Sequence, residues 1–229
     1  MKVIAVETVL SAAYPNCVWV RIETDEGLTG LGETFRNPRA TVADIHEPGA
    51  PYLLGQDPLQ PERHRNALLR HVGNRFSGFP TRSVEVRGNS AADIALWDLA
   101  GKALDAPLYR LFGGPAHERL PVYNTCASDG YNFAAKVIGD SRAVGEGEDD
   151  LALQLSDPGG LARSLRAEGI TGMKIWPFDR FAAAHDGWRI APADLASAVE
   201  TVARIRDAVG DEIDVMLEYH GLWRLSAAL

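Results

Sequence analysis

The chain has 229 residues, 46% apolar and 24% charged, which is the make-up of one or two ordinary globular domains. Its net charge of −8, with no cluster of Lys and Arg, argues against a nucleic-acid-binding surface. No apolar run approaches the ~18–20 residues of a membrane span, and Glu7 falls where a signal peptide would continue its apolar core, so a cytoplasmic protein without a membrane partner is expected.

The first 35 residues read as an antiparallel meander. Segments 3–10 and 17–24 are strand-like, the second carrying Val18, Trp19, Val20 and Ile22. Asp25-Glu26-Gly27 signals a turn, and 28–34 returns as a third strand whose Gly30 and Gly32 predict tight backbone approach or a bulge. Helices follow at 39–54 and 61–72, the latter opening on Pro61, a residue tolerated in a first helical turn. Residues 73–83 read as a loop. From Val84 a long helix is expected, apolar on most sides through Ala91, Ala92, Ile94, Ala95, Trp97, Leu99 and Ala103, and therefore buried. Asp93 and Asp98 on it read as structural. Asp105-Ala106-Pro107 ends it, and 108–112 makes a short turn before Gly113-Gly114-Pro115.

From Leu120 the rhythm changes to strands alternating with helices. Strands are expected at 120–125, 172–176 and 214–219, with helices at 158–168 and 192–209 and a polar surface excursion over 127–158. Such alternation with short connections implies parallel strands joined by crossovers. Cys17 and Cys126 match no metal or redox spacing and read as buried reduced thiols. His46, His64, His71, His117 and His185 form no ligand set and read as solvated.

Three stretches, in order and covering nearly the whole chain, resemble the enolase superfamily in its mandelate racemase/muconate lactonizing enzyme-like branch. They are Glu26-Gly27-Leu28-Thr29-Gly30-Leu31-Gly32-Glu33, then Ala91-Ala92-Asp93-Ile94-Ala95-Leu96-Trp97-Asp98-Leu99-Ala100-Gly101-Lys102 with Pro107-Leu108-Tyr109-Arg110-Leu111-Phe112-Gly113-Gly114, and the strand ends Gly172-Met173-Lys174-Ile175-Trp176 and Leu217-Glu218-Tyr219-His220. The resemblance implies an α+β capping domain at 1–118 followed at 119–229 by the N-terminal part of a (β/α) TIM-type barrel, about its first three strands. An eight-stranded barrel takes ~250 residues, so the barrel is expected to be incomplete in this chain. An incomplete gene model, a truncated product and one half of a split barrel are the readings that follow.

The chemistry implied is abstraction of a proton α to a carboxylate with Mg²⁺ as cofactor, because a hard cation on the carboxylate oxygens offsets the second negative charge as it develops. Glu218 takes the position of the first metal-binding carboxylate, where many relatives have Asp. Lys174 matches the first lysine of the family's Lys-x-Lys motif, and the resemblance implies that it contacts the substrate carboxylate. Trp176 replaces the second lysine, and an indole cannot abstract a proton. That departure argues against racemisation, which needs a base on each face. His220 matches the general acid of dehydratase-like relatives, an imidazole being suited to that task near neutral pH. On a regular strand its side chain would point to the same side as that of Glu218. Read without the resemblance, these are a strand-end acid, an exposed lysine and a rim histidine.

Tyr14 and Asn124, with Trp176, are candidate substrate contacts. Asn16, Phe35, Tyr123 and Trp223 are weaker ones, and for each aromatic core packing competes. The expected function is dehydration or cycloisomerisation of a small-molecule acid-sugar carboxylate, by a homo-oligomer in the full-length form. A racemase, epimerase or lactonizing enzyme of the same superfamily, or a catalytically incomplete fragment, is the alternative.

Overall fold

A computed structural model describes residues 1–70, 84–127 and 149–229. They divide into two compact units, Met1–Glu118 and Arg119–Leu229. The loop expected at 73–83 and most of the acidic excursion, Glu146 and Glu148 included, lie outside the described residues, as does His71.

In the first unit β1 (Val3–Val9), β2 (Cys17–Thr24) and β3 (Thr29–Phe35) form an antiparallel sheet in that order. Alternation along β2 buries Val18, Val20 and Ile22 and turns Trp19, Arg21 and Glu23 to the other face. Gly27, at φ +81°, makes the turn into β3. The helix expected at 39–54 is α1 (Pro38–Asp44), a π turn over Ile45–Gly49, and α2 (Ala50–Leu53). Pro48 inside that segment has no N–H to give the ladder, which is the physical reason the helix widens there. Next come α3 (Pro61–Arg70) and the 20-residue α4 (Val84–Ala103), followed by α5 (Leu108–Leu111).

Helix α4 packs on the sheet through Ala91, Ala95, Leu96 and Leu99. Gly88, Asn89 and Ala92 are buried as well, Gly88 against Asp44 and Ile45, whereas Ile94, expected among the buried positions, stands 45% exposed. The glycines of β3 explain the close approach: a Cβ on Gly30 would lie 2.1 Å from the Ala95 carbonyl oxygen, and one on Gly32 only 1.8 Å from that of Ala91. Gly32→Ala should therefore destabilise this unit by at least ~1–3 kcal/mol, read as a lower urea midpoint at unchanged slope. Asp98 fastens the same seam, accepting hydrogen bonds from the Leu31 N–H at 2.8 Å and the Lys102 ammonium at 2.7 Å.

His64 corrects the reading of the histidines as solvated. It is 1% exposed, with Nδ1 3.0 Å from the Tyr52 hydroxyl and Nε2 2.7 Å from the Asp57 carbonyl oxygen. Both ring nitrogens are satisfied, as burial demands.

The second unit holds a parallel sheet in the order β4 (Tyr123–Asn124), β5 (Gly172–Ile175), β6 (Asp214–Leu217), with Ile175 opposite Leu217. Helices α6 (Asp150–Ser156) and α7 (Pro158–Ala167) precede β5. The short α8 (Asp179–Ala182), a 3₁₀ turn and α9 (Pro192–Val209) lie between β5 and β6, and α10 (Leu225–Ala228) closes the chain. Met173, Ile175, Leu161, Leu165, Ile205 and Ile213 form the core. This is the opening of a β/α barrel, with parallel strands returning through helices.

Three expectations are corrected here. The first strand is two residues long rather than six: Leu120 and Val122 are exposed, and Cys126 turns into the left-handed region at φ +48°. The third strand stops at Leu217, short of Tyr219. The end of the excursion is helix α6, which Asp149 caps by accepting from the Ala152 N–H at 2.8 Å. Cys126 is fully buried and its thiol is pushed up to about 12 by burial, whereas Cys17 is only partly so. No helix among the described residues is long and apolar enough to cross a membrane.

Candidate active site

Strand β5 is central in its sheet, so its alternate side chains divide between two packed faces. Met173 and Ile175 go into the helical core, and Lys174 between them points to the opposite face. The ladder with β6 runs one bond past the strand, the Glu218 N–H donating to the Ile175 carbonyl at 2.9 Å. This registers the ends of the two strands and leaves the Lys174 ammonium 3.5 Å from Glu218 Oε2. Both side chains keep some contact with solvent, so the pair contributes little stability and matters for position. Lys174 also lies over the Tyr123 ring, 5.6 Å from its centroid.

Beyond Glu218 the chain leaves the extended region. His220 sits at φ +47° and Gly221 at φ +67°. A left-handed histidine costs on the order of 1–3 kcal/mol unless its surroundings hold it there. Here Glu218 does so: its Oε1 accepts the backbone N–H groups of both Tyr219 at 3.1 Å and His220 at 2.9 Å. A turn held by the carboxylate, and not strand alternation, sets the relation between Glu218 and His220. The His220 amide is also the chief reason the Glu218 carboxyl sits below the usual carboxylate range; the charges of His220 and Lys174 add to it, and burial opposes it.

The His220 ring is fixed on two sides. Its Nδ1 lies 2.5 Å from Asp179 Oδ2, and its plane meets the Trp176 ring at 58° with centroids 4.9 Å apart. Burial pushes the Asp179 carboxyl up, and the hydrogen bond and charge of His220 oppose that shift. Trp176 is anchored through its backbone N–H, which donates to Gln154 Oε1 at 2.8 Å, while Gln154 Nε2 donates to the Cys126 carbonyl at 3.0 Å. One fully buried amide on α6 thus ties together the segments that follow β4 and β5.

Lys174, Trp176, Glu218 and His220 are therefore gathered in one cluster of the second unit. Asn124 is in the same unit, but both ends of its amide are used locally: Oδ1 accepts from the Cys126 N–H at 2.6 Å, and Nδ2 donates to Asp150 at 2.9 Å. Tyr14 belongs to the first unit, where its ring meets Trp19 edge-on at 6.1 Å. Phe35, also there, has the Arg36 and Arg87 guanidiniums over its ring, 5.3 and 5.2 Å from the centroid. Asp179 and Gln154 had escaped the sequence. Gln154 lies in a stretch that reads as a solvated excursion, and nothing in the spacing of Asp179 pairs it with a residue 41 positions on.

Among the described residues, no three His, Cys, Asp or Glu side chains come together as metal donors. Glu218 fits as one donor, an ionised oxygen ligand with Oε2 clear of the backbone amides, but a hard divalent cation takes about six oxygens and Glu218 alone cannot hold one.

Residues 2–113, nearly all of the first unit, match the family model of the mandelate racemase/muconate lactonizing enzyme N-terminal domain. The chain is 30% identical over 217 residues to a D-galactonate dehydratase from Klebsiella pneumoniae, covering 94% of this chain and 47% of that protein. It is 31% identical over 222 residues to the D-galactonate dehydratase family member RspA from Halomonas elongata, covering 96% and 53%. Among solved structures, an enolase of the mandelate racemase subgroup from Agrobacterium tumefaciens aligns with a TM-score of 0.80 at 40% identity, over 98% of this chain and 52% of that one. An enolase protein from Sargasso Sea environmental sequence aligns at 0.82 and 41%, over 99% and 53%. The chain thus spans about half the length of the relatives it matches. By its cap, its strand-end cluster and these likenesses, the chain belongs to the mandelate racemase/muconate lactonizing enzyme-like branch of the enolase superfamily.

Proposed function

We propose that the protein carrying this chain is a Mg²⁺-dependent acid-sugar dehydratase, removing water from a polyhydroxylated carboxylate after abstraction of the proton α to the carboxylate. The observation that carries this reading is the meeting of Lys174, Glu218 and His220 at the C-terminal ends of adjacent parallel strands, where β/α barrels place their chemistry. Similarity to D-galactonate dehydratases supports the substrate class.

Lys174 supplies a fixed positive charge for the substrate carboxylate. Glu218 would contribute one oxygen to the cation, and the remaining donors would have to come from water and from residues other than those of this cluster. When bound, such an ion lowers the cost of the charge that develops on the carboxylate oxygens. A base from elsewhere in the polypeptide takes the α-proton. As the electron pair returns to form the Cα–Cβ double bond, the Cβ–O bond breaks, and the departing hydroxyl takes a proton from His220 and leaves as water. His220 is then reprotonated from solvent. Trp176, standing where a second base would be, makes racemisation the weaker reading.

The test is a panel of acid sugars, D-galactonate included, offered with Mg²⁺ to the full-length protein, with 2-keto-3-deoxy products read by their semicarbazones. The expected result is Mg²⁺-dependent product from at least one acid. Exchange of the α-proton with no dehydration of any member would sink the reading in favour of an epimerase.

A further inference from the structure

We propose that Asp179 is a positioning residue that holds His220 by Nδ1, so that Nε2 is the nitrogen presented to the substrate. The proposal rests on the reading of His220 as the acid that protonates the leaving hydroxyl, and it adds a residue that neither the strand-end motif nor the likeness to known proteins identifies.

The geometry is specific. Asp179 is the first residue of the four-residue α8, a place where an acidic side chain ordinarily faces the free amides of its own helix. Its hydrogen bond goes instead to the ring of His220, 41 residues on, at 2.5 Å. The carboxylate is largely buried, with its side chain 11% exposed against 21% for His220. Its second oxygen, Oδ1, is buried with no hydrogen-bond partner among the described residues. A buried carboxylate with a single partner is an expensive arrangement for a simple tether, since an unmet buried oxygen forfeits its hydration without a replacement. The contact to His220 is what the chain retains for that cost.

The consequences follow from the ring. A carboxylate can only accept, so it draws the ring proton to Nδ1 and leaves the lone pair of neutral histidine on Nε2. Protonation then places the transferable proton on Nε2, at the end of the ring away from Asp179. Trp176 against one face and the left-handed backbone at His220 remove most of the remaining rotation. Delivery of the proton to a departing hydroxyl therefore needs no reorientation of the imidazole at the moment the C–O bond breaks. On cleavage the hydroxyl oxygen keeps the bonding pair and takes the Nε2 proton, water leaves, and neutral Nδ1–H histidine remains on Asp179.

The experiment compares full-length wild type with Asp179→Asn, which keeps the volume but turns an acceptor into a group able to donate to Nδ1, and with Asp179→Ala. In ¹⁵N-histidine-labelled protein, with the His220 signals assigned by their loss in His220→Gln, neutral His220 should be the Nδ1–H tautomer in wild type and the Nε2–H tautomer in both Asp179 variants. Dehydration kcat should fall about 10–100-fold with KM moved less than about 3-fold, and Asp179→Asn should cost nothing more when added to His220→Gln. An Nε2–H tautomer in wild type, or losses from Asp179→Asn and His220→Gln that multiply, would overturn the proposal. Should Asp179→Ala fail to fold, the isosteric variant still decides it. Full dehydration activity in His220→Gln would instead remove the general-acid reading itself, whereas an unchanged tautomer removes the positioning role alone.

Discussion

Replacing His220 with glutamine is expected to lower dehydration about 10²–10⁴-fold, the range over which a positioned acid assists a proton transfer. The α-proton of the substrate should continue to exchange with deuterium from solvent at a rate close to that of the wild type. The two outcomes separate because they belong to different steps. In the proposed reaction the α-proton leaves to a base elsewhere in the polypeptide, whereas His220 acts only when the β-hydroxyl departs. A glutamine carboxamide can fill the space beside Trp176 and donate a weak hydrogen bond, but it has no proton to give up. The measurement is ¹H NMR in D₂O with the dehydrated acid sugar, following loss of the Cα–H signal and appearance of the keto-acid together. Loss of both processes would mean that His220 takes part in enolisation itself, and the division of labour proposed here would be wrong.

Lys174, Glu218 and His220 were legible because each is an ionisable residue at the end of a short apolar run, and strand ends of a β/α unit are where such residues do chemistry. Gly30 and Gly32 were legible for a related reason: two glycines in one strand have few causes, and close approach of a helix backbone is one. Long-range polar pairing was not legible. Asp179 lies between the strand expected at 172–176 and the helix expected at 192–209, and its partnership with His220 exists only once β5 and β6 are side by side. Gln154 was hidden by its neighbours, since a polar residue beside Asp149 and Asp150 reads as solvated, yet α6 folds it fully inside. The left-handed turn at His220 was hidden too, because the residue that stabilises it is the carboxylate singled out for another task. Local patterns named the groups that meet a substrate; the groups that orient them depend on tertiary contacts.

That double duty of Glu218 shapes the other large effect expected. Glu218→Gln keeps a carbonyl oxygen that can accept the Tyr219 and His220 amides, so the turn should survive and the melting temperature should change by no more than about 2–4 °C. It removes the negative charge, and with it the ionised oxygen that the proposed reaction assigns to the cation. Calorimetric affinity of the full-length protein for Mg²⁺ should fall at least 10-fold, and turnover should fall with it, recovering only in part at high Mg²⁺. Glu218→Ala loses charge and acceptor alike. It should lower both Mg²⁺ affinity and stability, because the His220 and Tyr219 amides then lose their partner and the left-handed histidine loses what holds it. The pair of variants separates the two roles of one side chain. Unchanged Mg²⁺ affinity in Glu218→Gln would remove the metal-ligand assignment and leave Glu218 as the residue that builds the turn. A Glu218→Ala protein as stable as wild type would show the reverse, a ligand on which the His220 turn does not depend.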